Sequence, residues 1–239
     1  MASMAMRFSG GKDSTLAALK IAADHDAIHL LTFWHEMIDN VANSGGNIEK
    51  LEKATGKYGC FTHRVLNISK LVQALYHGGG FFGDFRRYGA LARASLCTAC
   101  DFAMFVRTLK YCRDNHIENA CDGANHTEFA GFLDDWGLPV IRGFAAENGV
   151  NWTFPVFAVE RCDISLLDAG LNGAEPTLFF RSQARCHGGG LFANIFLRCY
   201  FLPLYGKKSY RDLTLAWLRD RMPLASEYIA TGKINGNPC

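Results

Sequence analysis

Hydrophobic residues fall in two rhythms along this chain: short unbroken apolar runs, and longer stretches in which apolar positions recur every three or four residues. The first suits strands buried on both faces, and the second suits helices with one face on a core. Residues 5–8 open as a short strand, followed by a glycine turn and a helix over 14–23 in which Leu16, Leu19 and Ile21 can face a core. Residues 28–34 read as a second buried strand. Residues 47–58, with Glu and Lys interleaved, read as an exposed amphipathic helix ended by Gly59. A third strand is predicted over 63–68, then a helical piece over 71–76 that Gly78, Gly79 and Gly80 break. The strongest helix is predicted over 98–115, where Phe102, Phe105, Val106, Leu109 and Cys112 recur near the helical period. Strands over 117–121 and 140–143 follow. Strands alternating with helices predict an α/β fold, a doubly wound parallel sheet covered on both faces. Such sheets bind ligands at the carboxyl ends of their strands.

After Trp152 the rhythm changes. Residues 155–159 and 164–169 suggest a strand or turn feeding a short helix, and 213–219 an amphipathic helix. Residues 178–210 mix aromatics, Arg and Gly without a clean period. The expected organisation is an α/β domain over 1–149 and a C-terminal portion over 150–239 that completes the site, with a soft boundary between them.

Composition narrows the class. With 49% hydrophobic residues among 239, the chain has ample material for a core and is not disordered as a whole. Lys and Arg number 25 against 23 Asp and Glu, so any nucleic-acid surface has to be a local patch. No uncharged run approaches the roughly 18 to 20 apolar residues of a membrane span. Lys12 and Asp13 stand where a signal peptide would need its apolar stretch. The expectation is a soluble, cytoplasmic protein with no membrane partner.

The nine cysteines are an odd number in a chain far larger than a disulfide scaffold, which favours thiols or metal ligands. Cys97 and Cys100 are separated by two residues, a spacing that lets both sulfurs turn toward one ion. That pair is half a site. Cys186 and Cys199, with Gly188, Gly189 and Gly190 between them, are candidates for the rest. A set of soft thiolates favours Zn or an iron–sulfur cluster over Mg or Ca. The bland alternative makes Cys186 and Cys199 buried small hydrophobes. Cys60, Cys112, Cys162 and Cys239 read as packing or surface thiols, and Cys121 as core.

Between the first strand and first helix lies Ser9-Gly10-Gly11-Lys12-Asp13-Ser14. Unpaired backbone N–H groups and the positive end of the helix dipole converge there, which makes an anion site. Gly10 and Gly11 allow close backbone approach, Ser9 and Ser14 offer hydroxyls, Lys12 adds charge, and Asp13 suits a Mg ion or the ordering of the loop. It is not the G-x-x-x-x-G-K-[ST] loop of NTP hydrolases. A glycine turn with a capping Ser would explain the glycines but not the whole hexapeptide.

On this hexapeptide and the order of elements over residues 5–145, the chain resembles the PP-loop (SGGxDS) ATP pyrophosphatases, a HUP-like family that includes tRNA thiolation enzymes and several amide-forming synthetases. The resemblance implies that ATP is cleaved between its α and β phosphates, a substrate oxygen is adenylated, and a nucleophile displaces AMP. It implies pyrophosphate binding by Ser9, Gly10, Gly11, Lys12, Asp13 and Ser14, and adenine binding near Thr32, Phe33 and Trp34. A second family signature resembles Asp122-Gly123-Ala124-Asn125-His126-Thr127-Glu128, with Gly123 and Asn125 at the nucleotide. Thiolation enzymes often carry two histidines after that Gly and two aspartates, whereas this chain has Asn125, His126 and one Glu128. The Cys97/Cys100 pair ahead of that Gly is similar to the 2-thiocytidine tRNA synthetase type, in which the pair and one later Cys hold a [4Fe–4S] cluster. Three protein thiolates would leave one iron open to sulfide. Four would close the site and favour structural Zn.

Three functions follow as expectations. The first is an ATP-dependent adenylating sulfur transferase acting on a tRNA base or small molecule, with ATP, Mg and an iron–sulfur cluster as cofactors and a sulfur donor as partner. Lys12 and the loop amides would stabilise leaving pyrophosphate, Asp13 or Glu128 would help hold Mg, and Cys186 would belong to the sulfur-delivering centre with Cys97 and Cys100, with or without Cys199. The second is an amide- or nitrile-forming synthetase with structural Zn, and the third a non-catalytic adenine-nucleotide binding module. A homodimer is left open. Arg181, Gln183 and Arg185 are candidates for the triphosphate or a substrate carbonyl, against a solvated edge strand. Arg86, Arg87 and Arg93 with Phe81, Phe82, Phe85 and Tyr88 suit RNA stacking or a packed lid. Lys207, Lys208 and Arg211 would extend that patch. His35, His63, His77, His116 and His187 read as structural or exposed, with His126 the exception. No Gly-x-Ser-x-Gly or His-Glu-x-x-His pattern occurs.

Overall fold

A computed structural model describes residues 2–78, 80–89, 91–125, 136–159, 184–186, 199 and 202–239. Its centre is a sheet of five parallel strands in the order β4-β2-β1-β5-β6. These are β1 (Ser3–Arg7), β2 (Ala27–Trp34), β4 (Phe61–Asn67), β5 (Asn119–Asp122) and β6 (Asn151–Thr153). The short strand β3 (Ile38–Asp39) lies outside this sheet and pairs antiparallel with β7 (Arg185–Cys186). Strands β8 (Lys233–Ile234) and β9 (Asn237–Pro238) form a C-terminal hairpin. Helices α1 (Lys12–Ile21), α2 (Ile48–Thr55), α3 (Ser69–His77), α4 (Phe81–Tyr88), α5 (Leu91–Asp114), α6 (Leu138–Glu147) and α7 (Leu202–Thr231) complete the described elements.

Both faces of the sheet are covered, which makes the fold doubly wound. The period-2 geometry of strands divides neighbouring residues between the two faces. Met4, Met6, Ile28 and Leu30 pack with Leu16 of α1 and Leu51 of α2. Ala5, Leu31 and Phe33 face the other side, with Leu71 of α3, Phe102 and Phe105 of α5, Phe144 of α6 and Trp217 of α7. The Phe105 ring meets Trp152 of β6 at 4.6 Å, edge to face. Buried polar pairs pin the helices: Arg221 of α7 pairs with Asp84 of α4 and donates to the carbonyl of Leu75 in α3 at 2.7 Å. Tyr88 donates to Asp220, which also pairs with Arg87 at 2.8 Å.

Most expected elements stand within a few residues of their predicted positions, and one does not. Residues 140–143 lie inside α6 rather than in a strand, because Leu138, Ile141, Phe144 and Ala145 are buried at helical spacing and Pro139 suits a first turn. A four-residue apolar run cannot distinguish the two by period. The strand is β6 instead, just past residue 149 and too short to alternate visibly. The helix expected over 47–58 starts as a 3-10 turn at Val41–Asn47 and ends at Gly56, whose φ of 65° stops it before Gly59. Residues 155–159 form turns. The segment 164–169 lies outside the described residues. The expected helix 213–219 is part of α7, which breaks at Gly206, where φ is 78°.

Candidate functional site

The chain leaves β1 for β2 and β4 on one side of the sheet, and β5 and β6 add on the other. The strand order therefore reverses between β1 and β5. The loops at the carboxyl ends of these two strands flank that crevice, the place where open parallel sheets take ligands.

The first is the Ser9–Ser14 loop. Gly10 has a φ of 77°, which a side chain would strain. Gly11 caps α1 from extended backbone without a side-chain cap. The Ser14 hydroxyl donates to the Gly11 carbonyl at 3.1 Å and lies 3.2 Å from the Ser9 hydroxyl, and Thr15 Oγ1 donates to Gly11 O at 2.7 Å. Outside the loop, Asn47 Nδ2 donates to the Gly10 carbonyl at 2.9 Å and the Ala184 N–H to Ser9 O at 2.8 Å. The loop is thus tied from both flanks. Lys12 is exposed at the start of α1, and Asp13 is half-buried in the first turn.

The second loop closes against the first. A Cβ built on Gly123 would stand 2.6 Å from the Ser14 Cα and 2.8 Å from its nitrogen, so only glycine fits. Asp122 accepts from the Ala124 N–H at 2.9 Å, and Asn125 is buried with its amide donating to Val159 O at 2.6 Å. Thr32 and Phe33 are buried at the end of β2, where Thr32 Oγ1 donates to the Phe8 carbonyl, while Trp34 is exposed. Of the three residues expected near adenine, Trp34 is therefore the one with ring surface open to a ligand.

The thiols stand at the same end of the sheet. Cys97 and Cys100 are half-buried on α5. The β3–β7 ladder sets Cys186 opposite Ile38, and its charge acts on both α5 thiols. Burial, then the charges of Cys186 and Asp101, pushes the Cys97 thiol up to about 11. Burial and Asp101 push Cys100 higher still, against the opposing effect of Arg7. Cys186 and Cys199 are both exposed. Three sulfur donors are the soft set that iron–sulfur clusters and Zn use. Among the described residues no three His, Cys, Asp or Glu side chains stand together as a single-ion site.

Arg7 joins the two halves. It lies at the end of β1, pairs with Asp122 at 2.8 Å and pairs with Asp101, the neighbour of Cys100. These two carboxylates hold the buried guanidinium firmly protonated against the opposing cost of burial. Burial raises Asp122, and Arg7 opposes that shift. Neither Arg7 nor Asp101 carried a signal in the sequence. His35 was expected to be structural or exposed; it is buried, with Nε2 3.1 Å from the Cys100 sulfur. Its only visible signal is its place after the carboxyl end of β2. His63 is half-buried, bonded to Thr32 Oγ1 at 2.8 Å and Ser44 Oγ at 3.1 Å, and His77 and His116 are exposed.

On α4, Phe82 and Phe85 are exposed beside the exposed Arg86 and Arg87, whereas Tyr88 is buried. Lys208 and Arg211 are exposed on α7. His126, Thr127, Glu128, Cys162, Arg181, Gln183 and His187 lie outside the described residues, as do the side chains of Phe81, Arg93, Arg185 and Lys207. Among the described residues no helix is long and apolar enough to cross a membrane.

No protein-family model matches the chain, and no curated protein does. Among solved structures it is similar to a protein described as a predicted subunit of tRNA methyltransferase from Methanocaldococcus jannaschii, at 19% identity over 71% of this chain and 75% of that one, with a TM-score of 0.42. It is also similar to the U34-tRNA thiolase NcsA from Methanococcus maripaludis, solved with its [4Fe-4S] cluster, at 11% identity over 99% of this chain and 76% of that one, with a TM-score of 0.40. At these identities and TM-scores the two similarities assign no activity to this chain.

Proposed function

We propose that this chain is an ATP-dependent adenylating enzyme that releases pyrophosphate and AMP and transfers sulfur to a carbonyl carbon of a tRNA base or small molecule. The observation that carries this reading is the bridging of Arg7. One side chain ties the end of the phosphate-type loop's strand to Asp122, next to Gly123, and to Asp101, next to Cys100. A nucleotide site and a thiol group so coupled suit two successive steps on one substrate.

In the first step a substrate carbonyl oxygen attacks the α phosphorus, and the bond from that phosphorus to the bridging oxygen breaks. Lys12 and the loop N–H groups receive the charge that develops on the leaving pyrophosphate. Asp13, in the first turn of α1, would help hold Mg on the phosphates. In the second step sulfide adds to the activated carbon, and the carbon–oxygen bond breaks with its electron pair leaving on AMP. An iron–sulfur cluster held by Cys97, Cys100 and Cys186 would supply that sulfide. The buried Arg7 offsets negative charge beside Cys100 and limits repulsion among the thiolates. A tRNA acceptor is supported by α4, whose exposed Phe82 and Phe85 offer faces for unstacked bases and whose Arg86 and Arg87 suit phosphates.

The test is anaerobic purification with assays for iron, labile sulfide and zinc, followed by release of pyrophosphate and AMP from ATP with bulk tRNA. Iron and sulfide, lost in Cys97→Ala, with tRNA-stimulated release are expected. One zinc per chain with ammonia-dependent release would replace this reading with amide or nitrile formation. ATP binding without turnover would leave a nucleotide-binding module.

A further inference from the structure

We propose that Asn47 is the positioning residue of the Ser9–Ser14 loop: its side-chain amide holds the Gly10 carbonyl outward, so that the Gly10–Gly11 peptide presents its N–H, and not its oxygen, to a pyrophosphate group. This rests on the nucleotide half of the reading above and is independent of the thiols.

A loop that binds an anion has to show its donors and hide its acceptors. Here the carbonyls of Ser9, Gly10 and Gly11 are each taken by a donor. Ser9 O accepts the Ala184 N–H at 2.8 Å, and Gly11 O accepts the Thr15 N–H at 2.9 Å and the Thr15 hydroxyl at 2.7 Å. Between them, Gly10 O accepts from Asn47 Nδ2 at 2.9 Å. The N–H and C=O of one trans peptide point in opposite directions. An oxygen held on the Asn47 side therefore turns the Gly11 N–H the other way, where Ser9 Oγ lies 3.3 Å from it. That bond is long, and a charged phosphate oxygen is the stronger acceptor. Two glycines flank this peptide, neither with a Cβ to resist rotation of the plane between them, and Gly10 has a φ of 77°. The orientation thus needs a restraint from outside the loop, and Asn47 supplies it.

The setting of Asn47 supports this role. It is buried at the N-cap of α2, a position where an asparagine oxygen commonly accepts from the first turn of the helix. It makes no such cap, and its amide goes instead to a residue 37 positions away in the sequence. The 3-10 turn Val41–Asn47 that carries it is itself fixed to the sheet. Ser44 Oγ donates to the Val41 carbonyl at 2.6 Å and Thr32 Oγ1 donates to the Phe8 carbonyl, so each hydroxyl has spent its one proton. His63 Nε2, 3.1 Å from the first oxygen and 2.8 Å from the second, is then the donor to both. One ring joins the turn that bears Asn47 to Thr32, which holds the carbonyl just before Ser9.

The experiment measures the affinity of the chain for inorganic pyrophosphate by calorimetry. The wild type is compared with Asn47→Leu, which is similar in size, adds no charge and cannot donate, and with Lys12→Ala, which reports whether the probe sits at the loop. Asn47→Leu is expected to bind pyrophosphate about 10- to 100-fold more weakly, the scale of one hydrogen bond to a charged group. Thermal melts run alongside. An asparagine with only a packing role would lower the melting temperature and leave the affinity of the folded chain unchanged, and that result overturns the proposal. If the Leu variant fails to fold, a crystal structure of the wild type with pyrophosphate decides. Gly10 O on Asn47 with the Gly11 N–H on the anion is expected, and the opposite peptide orientation overturns the proposal. A wild type that binds no pyrophosphate, or binds it no better than Lys12→Ala does, overturns the nucleotide reading of the loop itself, whereas binding that depends on Lys12 and not on Asn47 overturns only this inference.

Discussion

Gly123 and Ser14 touch backbone to backbone: a methyl group added to Gly123 would lie 2.6 Å from the Ser14 Cα. The end of β5 therefore sets where the first turn of α1 sits, and with it the loop N–H groups. Gly123→Ala is expected to force the two apart, at the about 1 to 3 kcal/mol typical of overpacking. It should lower the melting temperature and shrink the stabilisation that ATP gives. A variant with the wild-type melt and the wild-type ATP shift would contradict this account of the crevice.

Lys12 stands exposed at the start of α1, so its removal should leave the fold alone. Lys12→Ala is expected to slow pyrophosphate release by about 100- to 1,000-fold, the scale of losing one charge-stabilising group at a reaction centre. Its unfolding midpoint should match that of the wild type. Steady-state pyrophosphate assays together with a urea titration separate the two effects.

Arg221 and Asp84 are both buried, and their pairing binds α7 to α4. Asp84→Ala leaves a guanidinium without its carboxylate and is expected to cost about 3 to 5 kcal/mol. Replacing both partners together, as in Asp84→Leu with Arg221→Met, should cost much less. Urea unfolding of the two variants checks the difference, and equal losses would mean that the unpaired guanidinium is not the source of the cost.

Burial lowers the affinity of the His63 ring for a proton. The unfolded chain then takes up a proton near the ordinary histidine range, about 6.5, while the native chain does not. The unfolded state binds more protons there, so stability rises with pH and falls as the pH drops through that range. Burial lowers His29 and His35 in the same direction. Urea midpoints are expected to decline between about pH 7.5 and about pH 5.5, and less steeply in His63→Gln.

Alkylation should sort the cysteines by environment. Burial pushes Cys112 up to about 12 and Cys121 further, and both lie in the core. Cys186, Cys199 and Cys239 are exposed. Peptide mass mapping of the native, metal-free chain is expected to show these three labelled first and Cys112 and Cys121 only after unfolding.

What the sequence determined by itself is whatever neighbours in the chain suffice to express. The Ser9–Ser14 loop is six consecutive residues, and its glycines, hydroxyls and charge mean the same thing before and after folding. Strands β1 and β2 and helix α5 were legible for a similar reason, because burial on one or two faces repeats within each segment. Residues 140–143 were misread because four apolar residues satisfy both periods, and only their packing with Leu138 and Phe144 in α6 decides between them. The site beyond the loop is a matter of chain crossings. His35 meets Cys100 from 65 residues away. Arg7 meets Asp101 from 94, and Cys186 pairs with Ile38 of β3 from far along the chain. No local pattern encodes those distances; they follow from which strands the sheet places side by side, and that order is settled only when both of its faces are buried.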